Sequence, residues 1–488
     1  MDFLVFISVV CSCYGAVMFF DYFFKSCMML PYIEFLSSTG ISVKFFRLQF
    51  HTTKINRSLV KFSSKIPAIY RHSFKLGCYT ALVLFPVALL IVLASLFSGS
   101  SKTELSNQVD NQSENIARLE ILLPGVNLPI NQIGYYIVSM LICSMWHEAG
   151  HGIAAVLEDV PVTGFGLMFM FVIPVAYTEI DLEQLQSSKL MKKLKIFTAG
   201  IWNNILLAAF AYILLLLLPA LMSPVYETNK AVFVTKIKLD APIRGENGLY
   251  VGDRVTEING CKVTNEDEWT QCLLKTIKSH PAYCVSEEFV HDNEESIHEI
   301  EHLKDGTVSC CPSNPALNCF ENFDVERLPQ YVCLNIRKTV EHSEEYCQDT
   351  SCPQHSSCLK PVLSNTSTII QVKRKNRSID LVYFGHPFDF LQFVEVSEFT
   401  PKTKILEPWF ADAISLLLKY LAVFSSGLAL VNSLPCYGLD GQFLVSSLIA
   451  DLPNLSKGRK ELISNSINLL GTATLFIATI KIIYRTFI

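Results

Sequence analysis

Charged residues are scarce in this chain, because Asp, Glu, Lys and Arg make up only 17% of its 488 residues whereas half are hydrophobic. The mean hydropathy of +0.33 is too high for an ordinary soluble enzyme. The net charge of −5 is small, and the chain lacks a basic cluster interleaved with aromatic residues, which argues against nucleic-acid binding. Internal repeats and low-complexity tracts are also lacking. These absences favour a membrane protein.

The apolar N-terminal stretch, residues 1–24, lacks a basic segment at its start and a clear small-residue cleavage site before Lys25. Both features are typical of a retained membrane anchor, with a cleaved signal peptide as the alternative.

Six apolar stretches are long enough to cross a bilayer as helices, since about 20 residues span its hydrocarbon core. They cover residues 3–24, 76–98, 133–157, 198–222, 411–434 and 463–485. Two shorter apolar pieces, 165–177 and 443–450, are predicted to be re-entrant or packed against the bundle. The predicted fold class is therefore a polytopic α-helical membrane protein with about six transmembrane helices.

The loop at 25–75 sets the predicted orientation, because it contains nine Lys or Arg residues and a single acid, Glu34. By the positive-inside rule this loop lies in the cytosol. Alternation along the chain then places residues 223–410 in the lumen.

The same polar segment is rich in cysteine, since ten of the sixteen cysteines fall between Cys261 and Cys358. Such density indicates disulfides, whose pairing the sequence leaves open. Sequons at Asn365 and Asn376 are candidate glycosylation sites in the same region. Both signals agree with the luminal placement, which was inferred independently from the charge of the loops.

Residues 248–260 of this segment resemble part of a PDZ domain. A glycine-turned loop leads into an alternating strand, 255–258, closed by an Asn-Gly turn. A second alternating run, 369–384, is predicted to complete the same sheet after a cysteine-rich insertion at about 270–365.

The predicted domains follow from these segments. We expect N-terminal transmembrane anchors over 1–132, a catalytic membrane core in two parts over 133–222 and 411–488, and a luminal PDZ-like domain over 223–400.

The most informative motif is His147-Glu148-Ala-Gly-His151, which fits the H-E-x-x-H pattern. On a helix it places both imidazoles on one face, one turn apart, toward a single metal ion. Glu148 would act as the general base toward a water molecule that the zinc activates. Ionisable residues inside an apolar run are costly in a bilayer and mostly mark metal sites, relays or ion paths.

A catalytic zinc needs three protein ligands and an open position, and Asp440 is the best candidate for the third ligand. It follows a helix-breaking segment containing Pro435 and Gly438, at the same predicted membrane depth as the histidines. The alternative for Asp440 is a helix-terminal carboxylate at the interface. Cys436 is a rival ligand, although it has no partner cysteine at suitable spacing.

Three asparagines at the edges of apolar runs have two interpretations. Asn203, Asn204 and Asn432 either cap helices and join them by hydrogen bonds, or stabilise an oxyanion and hold substrate. The short run 165–177 contains two glycines and a proline and is predicted to be β-like. Its extended edge offers a way to bind an unwound substrate by strand addition.

Three motifs occur in the order found in one family: H-E-A-G-H in one span, G-I-W-N-N at residues 200–204 in the next, and N-x-x-P followed by L-D-G at residues 432–441. The chain resembles the site-2 protease family of intramembrane zinc proteases, and its cysteine-rich insertion resembles the animal branch.

This resemblance implies one zinc ion per chain held by His147, His151 and Asp440, with Glu148 as the catalytic carboxylate. Asn204 and Asn432 match family asparagines. The implied substrates are membrane-anchored transcription factor precursors, such as sterol regulatory element-binding proteins, already cut once in the lumen. The implied setting is the Golgi or endoplasmic-reticulum membrane, with roles in sterol and stress signalling.

Two other functions compete with proteolysis. The His, Glu and Asp side chains could form a relay in a metal or proton transporter. A relay, however, needs polar groups spread through the membrane depth, whereas these residues are predicted to cluster at one level. An inactive receptor that binds ligands through its PDZ-like domain would leave Glu148 unexplained. The sequence predicts no oligomeric state.

Overall fold

A computed structural model describes most of the chain. The described residues are 2–45, 47–97, 129–170, 173–245, 248–278, 281–297, 301–302, 308–314, 316–323, 328–343, 345–347, 352–353, 355–363, 367–403 and 407–487.

Long helices dominate both ends of the chain. The helices are α1 (Asp2–Ser26), α2 (Leu30–Thr39), α3 (Lys54–Ser63), α4 (Pro67–Phe97), α5 (Ile133–Leu157), α6 (Leu182–Ser187), α7 (Leu190–Met222), α8 (Glu266–Lys278), α9 (Glu287–Asn293), α10 (Ile336–His342), α11 (Phe388–Phe393), α12 (Trp409–Asn432), α13 (Asp440–Ala450) and α14 (Lys457–Phe487).

Five of the described helices, α1, α4, α7, α12 and α14, are long and apolar enough to cross a membrane. The protein is therefore a multi-pass membrane protein. The sixth predicted span, 133–157, coincides with the 25-residue helix α5. This helix is not among the five, because polar residues such as His147 and Glu148 lower its hydropathy. The count of six spans stays a prediction.

The strands fall into separate sheets. They are β1 (Ile41–Lys44), β2 (Arg47–Thr52), β3 (Val162–Met170), β4 (Ile173–Ile180), β5 (Tyr226–Glu227), β6 (Val232–Ile237), β7 (Arg254–Ile258), β8 (Cys261–Lys262), β9 (Tyr283–Ser286), β10 (Glu301–His302), β11 (Val308–Ser309), β12 (Leu317–Asn322), β13 (Tyr331–Asn335), β14 (Ser356–Pro361), β15 (Thr368–Arg374), β16 (Leu381–Gly385), β17 (Val394–Ser397) and β18 (Thr400–Pro401).

The chain divides into two compact units. The membrane unit comprises residues 1–217 and 414–488, and the inserted unit comprises residues 218–413.

In the membrane unit, β1 to β4 form an antiparallel sheet in chain order. The hairpin β3–β4 contains the short apolar run 165–177, for which the sequence predicts β-like structure. The Tyr14 hydroxyl donates to the carbonyl of Phe169 at 3.1 Å, and Tyr14 lies well inside the candidate span of α1, Ile7–Ser26. One end of this sheet therefore lies beside the middle of a candidate span, and the re-entrant placement of the hairpin stays a prediction.

The other short apolar run, 443–450, lies in α13, an 11-residue helix. At 1.5 Å per residue such a helix is about half the length needed to cross the hydrocarbon core. Its buried residues Leu444 and Val445 show that it packs within the membrane unit, as its length predicts.

The inserted unit contains a six-stranded sheet in the order β16-β15-β7-β6-β17, with β8 paired to β7. β15 pairs antiparallel with β7, so that Val372 lies opposite Ile258. The run 369–384 thus joins the same sheet as residues 255–258, as its alternation predicts. Val255, Leu273 and Ile370 are among the fully buried residues of the core between this sheet and α8. Whether this sheet is a PDZ-like domain stays a prediction.

A second sheet, in the order β13-β12-β14-β9, lies within the cysteine-rich insertion. Disulfides join all ten cysteines from Cys261 to Cys358, which agrees with their predicted role. The pairs are Cys261–Cys272, Cys284–Cys352, Cys310–Cys319, Cys311–Cys333 and Cys347–Cys358.

Candidate metal centre

Two histidines of α5 form one side of the candidate site. The four-residue spacing of His147 and His151 places both imidazoles on one face of the helix, and both are buried. Their Nε2 atoms lie 3.2 Å apart. Two ring nitrogens directed at a common point are the arrangement that the H-E-x-x-H spacing predicts.

Asp440 reaches the same point from the first residue of α13. A tight turn after α12 brings it there, because Pro435 cannot continue the helix and Gly438 adopts a left-handed φ of +86°. The turn folds closely against α13: a Cβ on Gly441 would collide with the carbonyl oxygen of Leu434. Local sequence thus determines where this carboxylate lies.

The three predicted ligands come together. Oδ2 of Asp440 lies 3.0 Å from Nε2 of His147 and 3.2 Å from Nε2 of His151. Within the described part of the chain, these residues form the one histidine-containing group able to hold a metal ion, with one donor atom each within 4.8 Å of the others. Oδ2 is buried and has no hydrogen-bond partner among the described residues, so a cation between the three atoms would satisfy it.

The outer nitrogen of each imidazole also has a neighbour. Nδ1 of His151 lies 2.7 Å from the carbonyl oxygen of Ile196. A carbonyl only accepts, so Nδ1 carries the proton and Nε2 presents its lone pair to the centre. Nδ1 of His147 lies 3.2 Å from Nδ2 of the fully buried Asn204.

Gly200 of α7 makes room for the centre. A Cβ at this position would come within 2.5 Å of Nε2 of His147 and closer still to Nε2 of His151. The missing side chain therefore leaves space beside both donor nitrogens. Two nitrogens, one carboxylate oxygen and this free space fit the three ligands and open position of a catalytic metal site.

Glu148 lies next to the histidines on α5, and its half-buried side chain lines a cavity of about 700 Å³. His151, Asp440 and Thr178 line the same cavity. A carboxylate that shares a cavity with a metal site can take a proton from water there.

Comparison with known proteins agrees with this geometry. The family model described as Peptidase family M50 matches residues 135–478, well over half of the chain. The chain belongs to peptidase family M50. The protein is therefore a metalloprotease, and the transporter and receptor alternatives are not favoured. The family match spans all three residues of the centre.

A site-2 protease relative supports the same family. The chain is 22% identical over 385 residues to a protein of Arabidopsis thaliana named "Membrane-bound transcription factor site-2 protease homolog". The alignment covers 69% of this chain and 74% of the relative. This match supports the resemblance to site-2 proteases that the motifs indicate, although it does not test the animal branch.

The other residues that the sequence offers as candidates for the site of this M50 protein differ in where they lie and in what they contact. Asn203 donates to the carbonyl of Trp146 at 3.1 Å, and Trp146 donates back to the carbonyl of Asn203, so this amide joins α7 to α5. Asn432 is half-buried on the last turn of α12, and no described residue hydrogen-bonds its amide. Cys436 lies buried in a separate apolar cluster with Leu434 and is not grouped with the histidines.

The two candidate glycosylation sites lie in the inserted unit. Asn365 lies outside the described residues. Asn376 is exposed, but its Oδ1 accepts from the backbone N–H of Arg254 and its Nδ2 donates to the carbonyl of Gly252. A glycan on Nδ2 would leave only one amide hydrogen for this contact, so Asn376 stays a candidate with a structural role.

Some residues that shape the metal centre were not predicted from the sequence. Gly200 stands out in the sequence only as part of a motif, although a glycine inside an apolar helix one turn before an asparagine is a signal of close helix approach. Ile196 acts through its carbonyl, which any residue offers, so its type contains no signal. Thr178 donates to the carbonyl of Glu148 at 3.0 Å and fixes β4 beside α5.

Proposed function

We propose that this protein is a zinc endopeptidase that cuts membrane-anchored substrates within the bilayer. The observation that supports this most directly is the convergence of His147, His151 and Asp440 in a unit built from membrane-spanning helices. A hydrolytic site in this position serves peptide bonds that lie at membrane depth.

We propose one zinc ion per chain, held by Nε2 of His147, Nε2 of His151 and Oδ2 of Asp440. When bound, zinc polarises the scissile carbonyl and makes water acidic enough to react near neutral pH. Glu148 accepts the proton of the attacking water and passes it to the leaving amine. Asn432 is the proposed amide for the oxyanion or the substrate strand.

The C-terminal half of β4 is the proposed binding edge for an unwound substrate. One side of the β3–β4 hairpin is covered by β2. On the other side, the N–H of Ala176 donates to Oγ of Ser144 at 2.7 Å, so that part of the edge is occupied. By the two-residue period of a strand, Thr178 directs its backbone groups the same way, and Thr178 lines the cavity. Substrate pairing is therefore proposed at Thr178, beside Glu148.

We further propose that the substrates are transcription factor precursors, such as sterol regulatory element-binding proteins, previously cut in the lumen. Support comes from the name of the Arabidopsis relative. In this proposal the protein belongs to the animal branch and resides in the Golgi or endoplasmic-reticulum membrane. The five disulfides of the inserted unit suit an oxidising lumen, where a PDZ-like domain would admit only trimmed substrates.

The test compares wild type with Glu148→Gln in detergent-solubilised full-length protein. Zinc content is measured together with cleavage of a membrane-anchored reporter whose luminal side is already trimmed. We expect about equal zinc in both proteins and a loss of turnover on the order of 10²–10⁴-fold in the variant, because the ligands stay and the base is lost. Equal cleavage by both proteins would refute the role of Glu148, and a wild type without zinc or cleavage would refute the proposed function.

A further inference from the structure

The amide of Asn204 faces an imidazole rather than the cavity. Asn204 is fully buried on α7, and its Nδ2 lies 3.2 Å from Nδ1 of His147. Its Oδ1 is also buried and has no hydrogen-bond partner in the described part of the chain. The side chain therefore has a single hydrogen-bonding neighbour, which is a predicted metal ligand.

The orientation of this amide determines where His147 keeps its proton. When Nδ2 donates to Nδ1, Nδ1 uses its lone pair and the neutral ring carries its proton on Nε2. A protonated Nε2 cannot bind a cation. Metal binding at Nε2 therefore requires the proton on Nδ1 and an acceptor facing it.

Reversal of the amide supplies this acceptor. The oxygen and nitrogen ends of the Asn204 amide have nearly the same size, so rotation of the amide by half a turn exchanges them within the same space. Oδ1 gives up no hydrogen bond in the exchange because it makes none. The bond from Nδ2 to His147 is replaced by one from Nδ1–H of His147 to Oδ1.

We propose that Asn204 is a positioning residue that accepts a hydrogen bond from Nδ1–H of His147 and so keeps the Nε2 lone pair available for the metal. This inference rests on the proposed zinc site and gives Asn204 a role other than oxyanion binding. The two ligands differ in this respect: the Ile196 carbonyl fixes the tautomer of His151, whereas a side chain that can be replaced sets the tautomer of His147.

Two substitutions at position 204 separate hydrogen-bond acceptance from packing. Asn204→Leu keeps the approximate volume and removes the acceptor, whereas Asn204→Asp retains an acceptor that cannot donate. Asn203→Leu is the matched control, because the neighbouring amide is also buried on α7 but contacts the carbonyl of Trp146. The zinc dissociation constant of the full-length protein is measured by competition with a chromophoric chelator. Thermal unfolding of the zinc-free proteins checks their folding.

We expect Asn204→Leu to bind zinc about 10–100-fold more weakly than wild type, the usual effect of losing a hydrogen bond to a metal-bound histidine. Asn204→Asp should bind at least as tightly as wild type, and Asn203→Leu, which loses a bond between helices but none to a ligand, should lose less affinity than Asn204→Leu.

Unchanged zinc affinity in Asn204→Leu, or equal losses in Asn204→Leu and Asn204→Asp, would overturn the inference. If the Leu variant does not fold, Asn204→Asp decides alone: wild-type affinity or tighter supports the inference, and a loss of about tenfold or more overturns it. A wild type that binds no zinc would instead overturn the proposed function, and this inference with it.

Discussion

Alanine at position 200 should weaken metal binding without changing any ligand. The added Cβ would lie within 2.5 Å of Nε2 of His147 and closer to Nε2 of His151, whereas real Cβ contacts essentially never fall below 3.0 Å. The donor nitrogens and α7 must then separate by at least about 0.5 Å, an overpacking strain like that of an extra methyl group in a filled core. The imidazoles have little freedom to move, because the Ile196 carbonyl and Asn204 hold their outer nitrogens.

The size of the effect follows from this geometry. Overpacking by a methyl group costs about 1–3 kcal/mol. If the strain falls on the arrangement that holds the metal, the zinc dissociation constant rises by about 5- to 150-fold. Loss of cleavage should follow zinc loss and should be partly restored by excess zinc.

Gly427→Ala is the matched control, because Gly427 also lies in a long apolar helix, α12, and, apart from the adjoining helix backbone, no heavy atom of the described residues lies within 4 Å of the position that an added Cβ would occupy. Zinc affinity and cleavage of this variant should equal those of wild type. The assay is chelator competition together with reporter cleavage at saturating zinc. A Gly200→Ala protein with wild-type zinc affinity and activity would refute the argument that the missing side chain makes room for the metal.

Three further predictions concern other parts of the protein. Asp440→Asn should weaken zinc retention at least about tenfold and abolish cleavage, and full activity would eliminate Asp440 as a ligand. Thr178→Pro, which removes an edge N–H, should lower kcat/KM about tenfold, the equivalent of one hydrogen bond. Thr178→Val keeps that N–H and loses only the hydroxyl bond to the carbonyl of Glu148, so it should lose less activity than Thr178→Pro, and equal losses in both variants would contradict strand pairing. Replacing Cys284 and Cys352 by serine opens a loop of sequence separation 68 and should destabilise the inserted unit by about 4 kcal/mol on the loop-entropy model. Opening the Cys310–Cys319 disulfide, with a sequence separation of 9, should destabilise the unit by only about 2.5 kcal/mol. Equal resistance of both variants to urea-dependent proteolysis would contradict the prediction that the longer loop contributes more.

The centre was accessible to sequence reasoning because its ligands lie in unusual surroundings. Two histidines at helical spacing inside an apolar run indicate a metal site, and Asp440 follows a helix-breaking segment at the end of another apolar run. The structure brings these side chains to 3.0 Å and 3.2 Å of one another. What this shows is their geometry, and their role as zinc ligands stays a proposal.

Features that depend on backbone atoms, or on the space left by a missing side chain, are harder to predict from the sequence. The carbonyl of Ile196 and the absent side chain of Gly200 leave no residue-type signal of their own. The hairpin β1–β2 was not predicted, although Ile41 and Val43 in one strand and Leu48 and Phe50 in the other alternate with other residues.

The disulfide pairing was beyond the sequence for a different reason. Ten cysteines allow hundreds of connectivities, and spacing along the chain does not choose among them. In the folded sheet Cys284 of β9 lies opposite Cys358 of β14, yet Cys284 bonds Cys352 and Cys358 bonds Cys347. The pairing therefore depends on the three-dimensional arrangement of the whole insertion.

The order of the ligands along the chain affects the synthesis of the protein. His147 and His151 leave the ribosome early, whereas Asp440 follows the whole inserted unit, residues 218–413. At translation rates of about 5–20 residues per second, the two parts of the site are made on the order of 15–60 s apart. During that interval the nascent chain has two of the three residues proposed as zinc ligands and no complete centre. If these residues are the ligands, the protease can become active only after the whole inserted unit has been made.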